Sequence, residues 1–165
     1  MNYINITDQD HQNLVSDIIR QITLSDWRPD YIVGITRGGL TAAVMLSHYF
    51  NVRMEALKIS LRDEENGCDS NLWMAEDAYN GKNILVVDDI NDSGATINWL
   101  IQDWPSGCHP HDDRWFNVWN NNVKFAVLID NTSSSCKLTM DYVGKEVTKQ
   151  AHDWIVFPYE SWWKN

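Results

Sequence analysis

Cysteine is scarce in this chain, and its basic residues are outnumbered by its acids. The three cysteines, Cys68, Cys108 and Cys136, are odd in number and stand in no CxxC or Cys/His pattern. This excludes a disulfide framework or a zinc site as the organising element and makes a reducing cytoplasm the expected compartment. Thirteen Lys and Arg face twenty-three Asp and Glu, a formal net charge of -10. Such a surface repels nucleic-acid phosphate and anionic lipid, so neither is an expected partner, and a phosphate ligand needs a cation or local backbone amides to hold it. Long apolar runs are missing too: no stretch reaches the roughly 20 residues that span a bilayer. The polar start MNYINITDQDHQNL lacks the basic region and apolar stretch of a secretion signal. There is no internal repeat and no low-complexity tract.

What is present suits one well-buried domain: 165 residues, 44% of them hydrophobic, long enough for one core and short for two. A single domain over 1–165 is therefore expected. Nine tryptophans stand out, and Trp99, Trp104, Trp115 and Trp119 crowd into one short region. Large aromatics ordinarily fill cores and interfaces, and that reading serves for most of them, with Trp154 set apart below.

Apolar residues at Leu14, Val15, Ile18, Ile19 and Ile22 lie on one helical face and predict an amphipathic helix over Asp10–Thr23. Tyr31–Ile35 then reads as a short buried strand, Thr36-Arg37-Gly38-Gly39 as a turn, and Leu40–Phe50 as a helix. Val52–Leu61 reads as a further strand region. The polar stretch RDEENGCDSN after it predicts an exposed loop, of the kind that often serves as a lid, over about 61–72. A helical turn near Ala75–Tyr79 leads to the strand Asn83–Val87, which runs into Asp88-Asp89, and a helix follows from Ala95 through Ile101. Asp103–Asn122 reads as an excursion with one short helix, Lys124–Ile129 as a buried strand, and Trp154–Pro158 as a closing extended piece. Strands alternating with helices predict an α/β fold with a mainly parallel central sheet flanked by helices, and ligands in such folds bind at the carboxyl ends of the strands.

The chemistry concentrates in ILVVDDINDSGATI, residues Ile84 to Ile97. A buried strand delivers two adjacent acids, then a turn of small polar residues opens a helix. Carboxylates at a strand end accept hydrogen bonds from vicinal sugar hydroxyls and suit a hard cation. Asp92-Ser93-Gly94-Ala95-Thr96 combines backbone amides, two hydroxyls and a helix N-terminus, a cradle for a phosphate dianion, and Gly94 lets the backbone approach closely. A lone Asp-x-Gly turn would be read as a helix cap; the whole fourteen-residue string asks for more. ILVVDD is also similar to the start of a phosphate-receiver domain, but here it lies mid-chain and continues into NDSGAT, for which a receiver has no use.

Val86 to Ile97 resembles the phosphoribosyl pyrophosphate motif of the type I phosphoribosyltransferases. The resemblance implies that Asp88 and Asp89 bind ribose hydroxyls, that Asp92, Ser93, Gly94, Ala95 and Thr96 wrap the 5-phosphate, and that Asp92 accepts a proton from a purine. Thr36-Arg37-Gly38-Gly39 is similar to the family's pyrophosphate loop, where a cis peptide is common, so Thr36–Arg37 is where one is expected. Trp154-Ile155-Val156-Phe157-Pro158-Tyr159-Glu160 resembles the C-terminal hood of small bacterial and archaeal purine enzymes, with Trp154 stacking on the base and Ile155 presenting main-chain groups; the hood is expected over about 152–165. The loop after β-branched Ile59 matches the flexible lid in position, which makes Ser60 and Arg62 candidates for pyrophosphate contact. The cofactor implied is Mg2+, with Asp89 beside it.

In many 6-oxopurine members a lysine follows the penultimate core strand. Here Ile129-Asp130-Asn131-Thr132 occupies that stretch, and the Asn131 amide either donates to a carbonyl or accepts from an amino group, leaving oxopurines and adenine open. The activity implied is transfer of the phosphoribosyl group of phosphoribosyl pyrophosphate to a purine base without a covalent enzyme intermediate; the alternative is a non-catalytic regulator that binds the same ligand. A pyrimidine or orotate enzyme predicts a different hood, without the tryptophan. Relatives pair near the pyrophosphate loop, so a homodimer or higher homo-oligomer is expected.

Overall fold

The computed structural model describes residues 1–59, 61 and 71–164. The expected lid over 61–72, with Ser60, Arg62 and Cys68, falls almost wholly outside the described residues.

Chain order explains how the layers arise. A short strand β1 (Asn2–Asn5) leads to helix α1 (Asp8–Leu24). The helix starts two residues before the predicted Asp10, because Thr7 and Asp10 close a capping box: the Asp10 N–H donates to Thr7 Oγ1 at 3.0 Å, and the Thr7 N–H to Asp10 Oδ2 at 2.9 Å. Strand β2 (Tyr31–Thr36), helix α2 (Leu40–Phe50) and strand β3 (Met54–Lys58) follow, then helix α3 (Leu72–Tyr79), strand β4 (Ile84–Asn91) and helix α4 (Ala95–Gly107). Strands β5 (Val123–Asn131), β6 (Tyr142–Val147) and β7 (Asp153–Val156) complete the chain.

The main sheet is parallel throughout, in the order β3-β2-β4-β5-β6. Alternation along the strands splits the core in two. Val33, Val86, Phe125 and Val127 face the side covered by Met74, Ala78, Leu100 and Trp104 of α3 and α4. Ile32, Leu85, Val87 and Ala126 face the side covered by Leu14, Ile18 and Ile22 of α1 and by Ala42, Ala43 and Leu46 of α2. Strand order reverses between β2, whose next strand lies to one side, and β4, whose next strand lies to the other. Loops leaving the carboxyl ends of β2 and β4 therefore diverge and leave a crevice between them. The predicted fold, an α/β protein with a mainly parallel sheet flanked by helices, is the one observed.

Two strands escape the sequence reading. β6 alternates weakly and carries Lys145 and Glu146; it forms as an edge, its backbone partly met by Gln21 of α1, whose amide donates to the Val143 carbonyl at 2.7 Å and accepts from the Val143 N–H at 3.0 Å. β1 is polar and exposed, and exists only because β7 runs beside it in parallel, Tyr3 opposite Trp154 and Ile4 opposite Ile155. The segment expected as the hood is thus paired with the first strand of the chain. α4 also runs further than Ile101. Ile97, Leu100 and Trp104 continue one buried stripe, so the burial of Trp104 outweighs Pro105 and the helix ends at Gly107. The tryptophan-rich stretch is mostly packing, as expected: Trp104 and Trp115 are buried, and Trp119 stacks on Trp115 at 5.5 Å.

Candidate active site

A cleft of about 1250 Å³ opens at the carboxyl ends of β2 and β4. Thr36, Arg37 and Gly38 line it together with Asp88 to Thr96, and Trp154, Ile155, Phe157 and Tyr159 of the expected hood segment complete the lining. The sequence motifs, with contacts spanning as many as 121 positions, meet in one place. The Thr36–Arg37 peptide is cis, as expected.

The turn after β4 is shaped by close backbone approach. Gly94 has φ +85°, and a Cβ there would lie 2.3 Å from the Cys136 nitrogen, so no other residue fits. Around it the loop after β5 acts as a brace: the Ser135 N–H donates to the Ser93 carbonyl at 3.0 Å, and Asn98 of α4 bonds both the Ser135 carbonyl and the Lys137 N–H. Buried Asn91 donates to Asp130 at 2.8 Å and accepts from Ser134 at 3.1 Å. The first turn of α4 is thereby aimed into the cleft with its amides forward, the arrangement that binds phosphate. Ser93 Oγ accepts from the Ala95 N–H at 3.3 Å.

The pyrophosphate-loop candidate lies directly on Asp89. A Cβ on Gly38 would meet Asp89 Oδ2 at 2.0 Å, so any larger residue here requires that carboxylate to move. Gly39 sits behind, against the Val87 carbonyl, and does not line the cleft. The hydroxyl of Tyr159, in the hood, shares its proton between the Gly38 carbonyl and Asp89 Oδ2, each at 2.9 Å. Burial, and then the neighbouring Asp89 carboxylate, drive the phenol's pKa far above its ordinary value, so it remains a neutral donor. His11 of α1 meets the Tyr159 ring edge-on at 5.9 Å; burial pushes its imidazole below the usual pKa, against the opposing pull of Asp8 and Asp89.

Asp92 carries the most developed set of partners. Lys149 Nζ lies 2.7 Å from Asp92 Oδ2, the lysine side chain 11% exposed and the aspartate 25%. Asn131 donates to Asp92 Oδ1 at 3.1 Å and to its carbonyl at 3.2 Å, while its own oxygen accepts from the Lys149 N–H at 3.2 Å and the Ser133 N–H at 3.1 Å. Asn131 is buried, and both ends of its amide are engaged away from the cleft wall. It holds Asp92 and Lys149 in place. The Lys149 ammonium also lies 5.9 Å from the centre of the Trp154 ring, so acid, cation and aromatic plane converge at the hood end.

Sequence reasoning did not single out Lys149 or Lys58, both of which line the cleft. Lys58 ends β3, where alternation toward the crevice was the only available signal. Lys149 stands in a polar turn, TKQ, that carries no motif. Among the described residues no group of three or more His, Cys, Asp or Glu is placed to hold a metal ion, and no helix is long and apolar enough to cross a membrane.

Residues 4–161 match the phosphoribosyl transferase domain, and the chain belongs to that family. Among solved structures it is similar to a purine phosphoribosyltransferase from Pyrococcus horikoshii (22% identity, TM-score 0.69, 98% of this chain and 96% of the other). It is similar also to the xanthine-guanine-hypoxanthine phosphoribosyltransferase of Helicobacter pylori (19%, TM-score 0.66, 99% and 96%). A Neisseria gonorrhoeae protein solved with bound ppGpp has the same fold (19%, TM-score 0.67, 97% and 90%).

Proposed function

We propose that this protein transfers the phosphoribosyl group of phosphoribosyl pyrophosphate to a purine base, releasing pyrophosphate and a nucleoside monophosphate. The observation that carries this reading is the meeting, in one cleft, of the Arg37–Gly38 turn, the Asp88–Thr96 loop and Trp154 with the Asp92–Lys149 pair. The first turn of α4 binds the 5-phosphate, and Asp88 and Asp89 take the ribose hydroxyls. Arg37, Lys58 and the turn amides face the pyrophosphate.

Breaking the anomeric bond builds positive charge on the sugar and negative charge on the leaving group, so cations on one side and acids on the other lower the barrier. Trp154 stacks on the base and holds it in line, which converts binding into proximity, and Asp92 accepts the proton of the incoming base. The Asp88 and Asp89 carboxylates suit a Mg2+ that keeps its waters and is shared with substrate phosphates, the usual habit of that ion. Asp89 is the residue that would touch it, and the ion would supply neutralisation of charge on the pyrophosphate.

Lys149 takes over the base-reading role that the sequence assigned to Asn131. An ammonium has only donors, so it favours a base with a carbonyl at this edge over one with an amino group, pointing to 6-oxopurines ahead of adenine. The test is nucleotide formation and pyrophosphate release with Mg2+, phosphoribosyl pyrophosphate and hypoxanthine, guanine, xanthine, adenine or orotate. Turnover with a purine, reduced about 100-fold or more in Asp92→Asn, supports the transferase. Binding of phosphoribosyl pyrophosphate without turnover of any base would replace it with the regulatory reading.

A further inference from the structure

We propose that Tyr159 is a positioning residue that fastens the hood to the pyrophosphate side of the cleft and sets the affinity for phosphoribosyl pyrophosphate through Asp89 and the Gly38 carbonyl. The inference rests on the reading of Asp89 as a substrate-binding acid. Tyr159 lies five positions after Trp154 on one segment, with Ile155 and Phe157 between them buried in the α1-side core. Its ring stacks on Phe157 at 5.7 Å with an interplanar angle of 3° and takes the edge of His11 from the opposite element. The ring is therefore fixed, and the hydroxyl has one place to go.

That place holds two acceptors and no other donor among the interactions described. The Gly38 carbonyl and Asp89 Oδ2 each lie 2.9 Å from the phenol oxygen, and the Gly38 backbone rests against the same carboxylate. A carbonyl oxygen and a carboxylate oxygen repel when brought together without a proton between them. The Tyr159 hydroxyl supplies that proton, so the turn can lie on Asp89 and both can face one ligand. Because Tyr159 acts on the pyrophosphate and ribose side, and Trp154 and Lys149 act on the base, the two effects are separable although one short segment carries both residues.

The experiment compares Tyr159→Phe with the unaltered protein by calorimetric titration with phosphoribosyl pyrophosphate and Mg2+, and by KM for the purine at saturating phosphoribosyl pyrophosphate. Phenylalanine keeps the ring stack and removes one hydroxyl. A core variant remote from the cleft, Ile18→Val, serves as a control for loss of stability. The expected result is a Kd for phosphoribosyl pyrophosphate about 10-fold weaker, a purine KM within about twofold of the original, and no loss of affinity in Ile18→Val. In an Asp89→Asn background, the same tyrosine change should weaken binding by less than about twofold, since the partner it serves has lost its charge. An unchanged Kd in Tyr159→Phe overturns the proposal, as does equal loss of affinity for both substrates, or full additivity with Asp89→Asn. If the unaltered protein fails to bind phosphoribosyl pyrophosphate at all, the reading of the site itself falls, an outcome distinct from these.

Discussion

Replacing Lys149 with methionine is the perturbation that most directly tests how the base is chosen. Methionine keeps much of the aliphatic stem and removes the ammonium. The lysine side chain is 11% exposed and its nitrogen lies 2.7 Å from Asp92 Oδ2, so solvent screens the pair far less than a surface ion pair, which is worth at most about 1 kcal/mol. A charge-assisted hydrogen bond in such a setting contributes about 1.5–3 kcal/mol, equivalent to roughly 10- to 150-fold in a rate or binding constant. If the ammonium donates to a base carbonyl in the transition state, kcat/KM for hypoxanthine and guanine should fall by that factor in Lys149→Met. The value for adenine, which presents no carbonyl, should change by less than about threefold. The assay is nucleotide formation at saturating phosphoribosyl pyrophosphate, with Asn131→Ala measured alongside because Asn131 braces both Asp92 and Lys149. An equal loss for oxopurines and adenine would refute the reasoning: Lys149 would then serve only to hold Asp92.

Two further outcomes are expected. Trp154→Ala should raise the KM for the base by about 10- to 100-fold, the scale of base stacking on an aromatic ring, while calorimetric affinity for phosphoribosyl pyrophosphate stays within twofold; loss of both affinities would place the tryptophan in the framework instead. His11 is held below its ordinary pKa, chiefly by burial, so the unfolded chain binds a proton more readily than the native one. Stability is therefore full above pH 6.5 and declines as pH falls from there toward the lower native value, at no more than about 1.4 kcal/mol per pH unit. Thermal melts of the protein and of His11→Gln between pH 7.5 and 5.5 should show a shallower decline in the variant; parallel curves would assign the acid sensitivity elsewhere.

Much of the fold and most of the candidate site can be read from the chain because local signals there are strong and agree with one another. Buried parallel strands are continuous apolar runs, as in Ile84–Val87, and the turns after them need particular residues. Gly94 must adopt φ +85° against the Cys136 backbone, and Gly38 lies close on the Asp89 carboxylate, so the turns are written in small residue types that sterics favour. The alternation of strand and helix suffices for a doubly covered parallel sheet, and with it the place where ligands go. The hood aromatics are equally visible as a short apolar segment near the end of the chain.

What tertiary structure alone decides is how distant, locally unremarkable residues are spent. β1 has no apolar pattern and becomes a strand only when β7 lies beside it. Asn131 looks in the sequence like a base-reading amide, but burial commits its hydrogen bonds to Asp92, Lys149 and Ser133. Lys149, in a polar turn, reaches Asp92 across 57 positions, and Tyr159 reaches Gly38 across 121. Such pairings leave no periodicity and no composition behind, because they depend on where loops arrive once the sheet has packed. The amino-acid sequence by itself determined the parallel α/β fold and the family; packing determined which side chains stand beside Asp92.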